Sequence, residues 1–121
     1  MFIKVSRKTD GSVLANQVRV AKTFWSRFRG LMLVAHLAPG EGLLIEPCTS
    51  IHMMFMRMPI DVVFLSQVNL VVGLYKRLRP WVGFSSWHRD ACKVLELPAG
   101  TLEVSPLEFG EELILELLIA S

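Results

Sequence analysis

Long apolar runs are missing from this 121-residue chain, although 52% of its residues are hydrophobic. A membrane-spanning helix needs about 18 or more consecutive apolar residues, and no stretch reaches that length. The chain also lacks a large excess of either positive or negative charge, because 13 basic and 11 acidic residues give a formal net charge of +2. A chain with this balance lacks the strong positive potential typical of nucleic-acid-binding proteins. We therefore expect a protein that binds neither a membrane nor nucleic acid.

Cysteine is also scarce, since Cys48 and Cys92 are the only two. The N-terminus MFIKVSRKTDGS carries charged residues where a signal peptide would need an apolar segment. Without a signal peptide, two cysteines are expected to be reduced thiols rather than a disulfide. These observations predict a cytoplasmic protein.

Motifs for common catalytic chemistry are absent as well. The chain has no Gly-rich phosphate loop, no G-x-S-x-G nucleophile elbow and no H-E-x-x-H zinc helix. The composition and motifs indicate no cofactor.

The hydrophobic pattern predicts a mainly β protein. By length, residues 1–121 form a single domain, and short apolar or alternating segments predict about seven strands. Residues 60–65 and 70–78 flank a turn-like SQVN sequence and predict a hairpin. Helical signals after Thr23 and between Thr101 and Phe109 are limited to about two turns each. We expect a compact antiparallel β-sandwich or barrel, with predicted strands at Val18–Val20, Gly42–Ile45, Ile51–Met56, Ile60–Leu65, Leu70–Leu78, Val94–Leu97 and Glu112–Ile119.

The segment from Cys48 to Leu65 is mostly apolar, and only His52, Arg57 and Asp61 in it carry or can gain charge. An unpaired buried charge is costly, so each of these side chains must reach solvent, find a partner or line a site. For Asp61, one interpretation is a structural carboxylate that accepts backbone N–H bonds or pairs with an arginine. The other interpretation is a ligand-anchoring acid or general base with His52 as its proton partner.

A weak metal pattern combines C-x3-H at Cys48 and His52 with H-x3-C at His88 and Cys92. Four such ligands would suit tetrahedral zinc. Residues four apart on a strand, however, lie about 13 Å apart, so only a turn or helix at both pairs could bring them to one ion. We therefore predict no metal site, with zinc binding kept as an alternative.

The loop Pro80–Ala91 concentrates aromatic residues, which indicates a packed lid or a binding surface. The leading hypothesis is a non-enzymatic β module that binds a small polar, possibly sugar-like, molecule or another protein. The alternative is a hydrolase or lyase that uses Asp61 and His52 as acid and base. The predicted ligand-binding residues are Arg57, Asp61, Trp81, Trp87 and His88.

Four sequence blocks resemble the uncharacterised prokaryotic family known as domain of unknown function 192. They are RGLM at 29–32, GLLI leading into Pro47-Cys48, the signature SIH at 50–52 with FM at 55–56 and PIDVVFL at 59–65, and VLELPAG at 94–100. The resemblance covers about residues 20–118. It implies a compact β-sandwich or barrel with short helical turns and no established activity, and it leaves function open because a fold does not determine one.

Overall fold

The protein forms one seven-stranded sheet, seen in a computed structural model that describes residues 1–21, 37–46, 58–79 and 88–118. The strand order is β5-β4-β6-β3-β2-β1-β7. β2 and β3 are parallel, and every other neighbouring pair is antiparallel. The strands are β1 (Phe2–Arg7), β2 (Val13–Ala21), β3 (Glu41–Ile45), β4 (Ile60–Leu65), β5 (Val71–Leu78), β6 (Lys93–Pro98) and β7 (Leu113–Leu117).

The sheet curls around its larger hydrophobic cluster, which receives side chains from every strand. Only the concave face of a curled sheet can bring all its strands to one core. The two edges of the sheet approach each other just before β5 and β7, where Leu70 and Glu112 form an isolated antiparallel bridge. Because β5 and β7 themselves are not paired with each other, the sheet is a half-barrel. One end of the curl is filled by the single-turn helix α1 (Thr101–Val104), whose Leu102 is 1% exposed and belongs to this inner core.

A smaller cluster lies on the outer face of the central strands. It contains alternate residues of β4 and β6, because successive side chains of a strand point to opposite faces. These strands are therefore buried on both faces, and all six residues of β4 are buried. The members of this outer cluster are Ala21, Leu43, Ile60, Val62, Phe64, Ala91 and Val94.

The predicted mainly β class is confirmed, and the sheet is a half-barrel rather than a two-sheet sandwich. The hairpin is confirmed: β4 has the predicted bounds, and the Ser66 hydroxyl accepts a bond from the Leu70 N–H in the turn. The predicted helical turn after Thr101 is confirmed as α1. The sequence prediction missed β1. The predicted strand Ile51–Met56 and the helix after Thr23 lie outside the described residues.

Within the described ranges, none of the helical residues forms a segment long and apolar enough to cross a bilayer.

Candidate functional site

Asp61 lies on β4, with its side chain on the concave face and fully buried. Its two carboxylate oxygens accept separate backbone N–H bonds, one from Arg77 at 2.9 Å and one from Leu102 at 2.8 Å. Arg77 has a positive φ of 52°, and Leu102 lies in α1. Asp61 thus fixes an irregular position of β5 and joins α1 to the end of the curl. This geometry fits the structural interpretation, and a role for Asp61 in ligand binding stays a prediction.

His88 lies on the opposite, outer face. Its imidazole packs on Phe64 with ring centroids 4.3 Å apart, and its Nε2 is 2.7 Å from the Tyr75 hydroxyl. Gly73 makes room for this ring, because a Cβ added there would lie 2.8 Å from His88 Cε1. The predicted ligand residue His88 is therefore held in one orientation by a stacking contact and a hydrogen bond.

Glu96 is a candidate residue that the sequence interpretation missed. It lies on β6, its residue surface is 4% exposed, and among the described residues its Oε2 atom is buried with no hydrogen-bond partner. Burial raises the pKa of this carboxyl group to about 8, because the ionised form loses its hydration. Buried polar atoms without partners are rare in native proteins, and strongly shifted acids concentrate at functional sites.

Strand register places Glu96 and Tyr75 in one row across the outer face. Glu96 is paired with Val62, and Val62 is paired with Tyr75 on the next strand. Paired residues share a face, and neighbouring strands are about 4.8 Å apart, so the Cα atoms of Glu96 and Tyr75 lie about 10 Å apart. Val62 lies between them, and the His88 imidazole adjoins Tyr75. The outer face thus carries a carboxyl group and a phenol–imidazole pair on either side of an apolar strand.

The predicted zinc ligands are only partly described. Cys92 is half-buried with a free thiol, and the chain turns between His88 and Cys92, where the Ala91 N–H donates to the His88 carbonyl at 3.1 Å. The assumption that this pair lies along a strand is therefore wrong, although His88 Nε2 already contacts Tyr75. Within the described ranges, no group of three or more potential ligands converges. Cys48 and His52 lie outside those ranges, so the prediction on zinc stays open.

Other predicted site residues fall outside the described part of the chain, and their contribution stays a prediction. They are Arg57, Trp81 and Trp87.

Comparison with known proteins identifies the family. The sequence model of the family domain of unknown function 192 (DUF192), described as "Uncharacterized ACR", matches residues 5–115. The chain belongs to this family. A UPF0127 protein of Thermococcus sibiricus is 39% identical over 110 residues, which cover 88% of this chain and 70% of the relative. One from Pyrococcus furiosus is 35% identical over 111 residues, covering 87% and 91%.

Two crystal structures share the fold of this DUF192 protein. A protein of unknown function from Novosphingobium aromaticivorans aligns with a TM-score of 0.79 at 18% identity, covering 94% of this chain and 84% of that chain. A putative transcription regulator from Sinorhizobium meliloti aligns with a TM-score of 0.79 at 22% identity, covering 93% and 91%. At these identities the likeness extends to the fold alone. The family has no known function.

Proposed function

We propose that this DUF192 protein is a binding module for a small polar molecule, held on the outer face of the sheet between Glu96 and the Tyr75–His88 pair. The observation that carries the proposal is the buried Oε2 atom of Glu96, which the described residues leave without a hydrogen-bond partner. Leaving such an atom unsatisfied costs about 1–3 kcal/mol, and a bound ligand that donates to it would recover that cost.

The chemistry of the face favours a compact ligand with several hydroxyl groups, such as a sugar. A carboxyl group with a raised pKa is protonated at neutral pH, so it has both a hydrogen-bond donor and acceptors. A ligand hydroxyl group can accept from that donor or donate to those acceptors. Val62 is apolar and fully buried, so a ligand on this face would be enclosed, and the C–H face of a sugar ring would pack against this side chain. The Cα atoms of Glu96 and Tyr75 lie about 10 Å apart, so a ligand that contacts both side chains must be no larger than one small ring.

An acid–base enzyme built on Asp61 is not supported. The two oxygens of Asp61 already accept backbone N–H bonds, and His52, the predicted proton partner, lies outside the described residues. We place the binding in the cytoplasm, where the free thiol of Cys92 would remain reduced.

A thermal-shift screen with monosaccharides, disaccharides and polyols tests this proposal on wild type, Glu96→Gln and Glu116→Gln. A ligand at 100 times its Kd stabilises the native state by about 2.7 kcal/mol, which raises the Tm of a chain this size by about 10 °C. We expect at least one compound to raise the Tm of wild type and of Glu116→Gln, the exposed-carboxylate control, but not of Glu96→Gln. The proposed site would be refuted if no compound raised the Tm of any of the three proteins, or if every active compound raised the Tm of all three equally.

A further inference from the structure

Within the described ranges, one side of the edge strand β7 bonds to β1, and the other side has no neighbouring strand beyond Leu113. Its register with β1 pairs residues whose numbers add to 120, and the Leu118 N–H donates to the Phe2 carbonyl while the Lys8 N–H donates to the Glu112 carbonyl. Even-numbered residues of β7 therefore bond to β1. Odd-numbered residues direct their N–H and C=O groups away from β1, as the Leu113 N–H shows by donating to the Asn69 carbonyl at 2.9 Å.

Beyond Leu113, the outward N–H and C=O groups of Leu115 and Leu117 have no hydrogen-bond partner among the described residues. The opposite edge of the sheet differs. There the main chain of Val71 donates to the Glu111 carbonyl and accepts from the Gly110 N–H. Covering of this kind is how native sheets normally protect their edges. Among the described residues, the end of β7 is therefore uncovered, whereas the start of β5 is covered at Val71.

A groove of about 290 Å³ adjoins this open edge, at the end of the half-barrel opposite α1. Leu115 and Leu117 supply both the open main-chain groups and part of the groove wall. The groove holds apolar surface with a few polar groups at its rim, which is the usual character of a binding site at the mouth of a barrel. Its lining residues are Met1, Ile3, Val20, Leu44, Glu46, Asn69, Lys93, Leu115 and Leu117.

Glu116 indicates which kind of strand fits this edge. Its side chain is 54% exposed on the face opposite the groove, where Lys4 lies 3.8 Å away. A second copy that paired reciprocally through Leu115 and Leu117 would place Glu116 opposite Glu116, and like charges in such a pair are destabilising. A strand with a basic side chain at that position would be complementary. The exposed Leu117, at 59%, gives such a strand an apolar contact as well.

We propose that the outer edge of β7 accepts an extended peptide segment of another protein as an added strand, with an apolar side chain in the groove and a basic side chain beside Glu116. Main-chain bonds to Leu115 and Leu117 would supply much of the affinity. The groove and the carboxylate would supply the selectivity, as in other complexes formed by strand addition. This interaction uses a surface distinct from the Glu96 face, and it does not depend on the proposed ligand.

The test measures binding of a fluorescein-labelled, end-capped peptide of alternating valine and lysine by fluorescence anisotropy. Leu117→Pro removes the outward N–H while the bonds of residues 116 and 118 to β1 remain, and edge strands tolerate proline at such positions. Leu117→Val is the matched control, because it keeps the N–H and a β-forming side chain. We expect Leu117→Pro to weaken binding by about tenfold or more and Leu117→Val by about threefold or less.

Two further measurements make the result specific. A peptide with glutamate in place of lysine should bind wild type more weakly, and Glu116→Lys should reverse that preference. Urea unfolding should show that Leu117→Pro is folded. The proposal is overturned if wild type binds neither peptide, or if folded Leu117→Pro binds as tightly as wild type. It is also overturned if sedimentation shows a wild-type dimer that Leu117→Pro abolishes, since the edge would then pair with a second copy.

Discussion

The carboxyl group of Glu96 should make the stability of the protein fall as the pH rises. Burial raises its pKa in the folded protein to about 8, from an ordinary value of 4.5 in the unfolded chain. Below pH 4.5 the group is protonated in both the folded and the unfolded chain, so its raised pKa takes nothing from the free energy of unfolding. Between these two values the unfolded chain ionises while the folded chain keeps its proton. The free energy of unfolding therefore falls with rising pH over this range and levels off above pH 8.

The size of this effect follows from the shift. Each pH unit between the two pKa values is worth about 1.4 kcal/mol, so the full span of about 3.5 units sets an upper limit of about 5 kcal/mol. That amount is comparable to the whole stability of many small domains. The variant Glu96→Gln cannot ionise in either state. It should lack the slope, although its buried amide adds a cost that does not depend on pH.

Urea unfolding followed by tryptophan fluorescence, at intervals from pH 4 to pH 9, measures the slope directly. We expect Glu96→Gln to gain stability relative to wild type as the pH rises from 4.5 to 8, with a constant difference above pH 8. Glu116→Gln controls for removal of a carboxylate whose side chain is half exposed. If the stabilities of wild type and Glu96→Gln stay parallel across this range, Glu96 ionises normally in the folded protein and the reasoning fails.

Three substitutions test other parts of the structure by urea unfolding. Asp61→Asn should lower stability by about 1–3 kcal/mol, because one backbone N–H would face an amide N–H₂ group instead of an oxygen; unchanged stability would contradict the capping role. Leu102→Ala should cost about 2–5 kcal/mol by opening a cavity at the α1 end of the curl, and a loss below 1 kcal/mol would mean that α1 is loosely packed. Gly73→Ala should cost about 1–3 kcal/mol and displace the His88 imidazole; a preserved sugar response would separate His88 from ligand binding.

Hydrophobic periodicity predicted the central strands well. β4 is a continuous apolar run apart from Asp61, and burial on both faces of the sheet explains that pattern. β1 was missed because Lys4 and Arg7 among its six residues read as a charged terminal segment. Its Ile3 and Val5 nevertheless alternate onto the inner core, so the period-two signal was present.

Glu96 was harder to predict than the strand that carries it. An acidic residue within VLEL is compatible with a strand that exposes one face to solvent, where Glu96 would be an ordinary surface residue. Its burial depends on β6 lying in the middle of the sheet, with one cluster on each face. That is a property of the tertiary structure, and local sequence does not encode it. The one available signal was an acid flanked on both sides by apolar residues.

The two buried acids of the central strands show why the outer face is the better candidate site. Asp61 pairs with Leu97, and Glu96 pairs with Val62, so the acids occupy adjacent rungs of one ladder and point to opposite faces. On the concave face, Asp61 finds two backbone donors, and its burial is accounted for within the fold. On the outer face, Glu96 keeps an oxygen for which the described residues supply no donor. Because a buried atom of this kind lowers stability, the described residues give no structural reason for a glutamate there. A ligand that donates to this oxygen would give one.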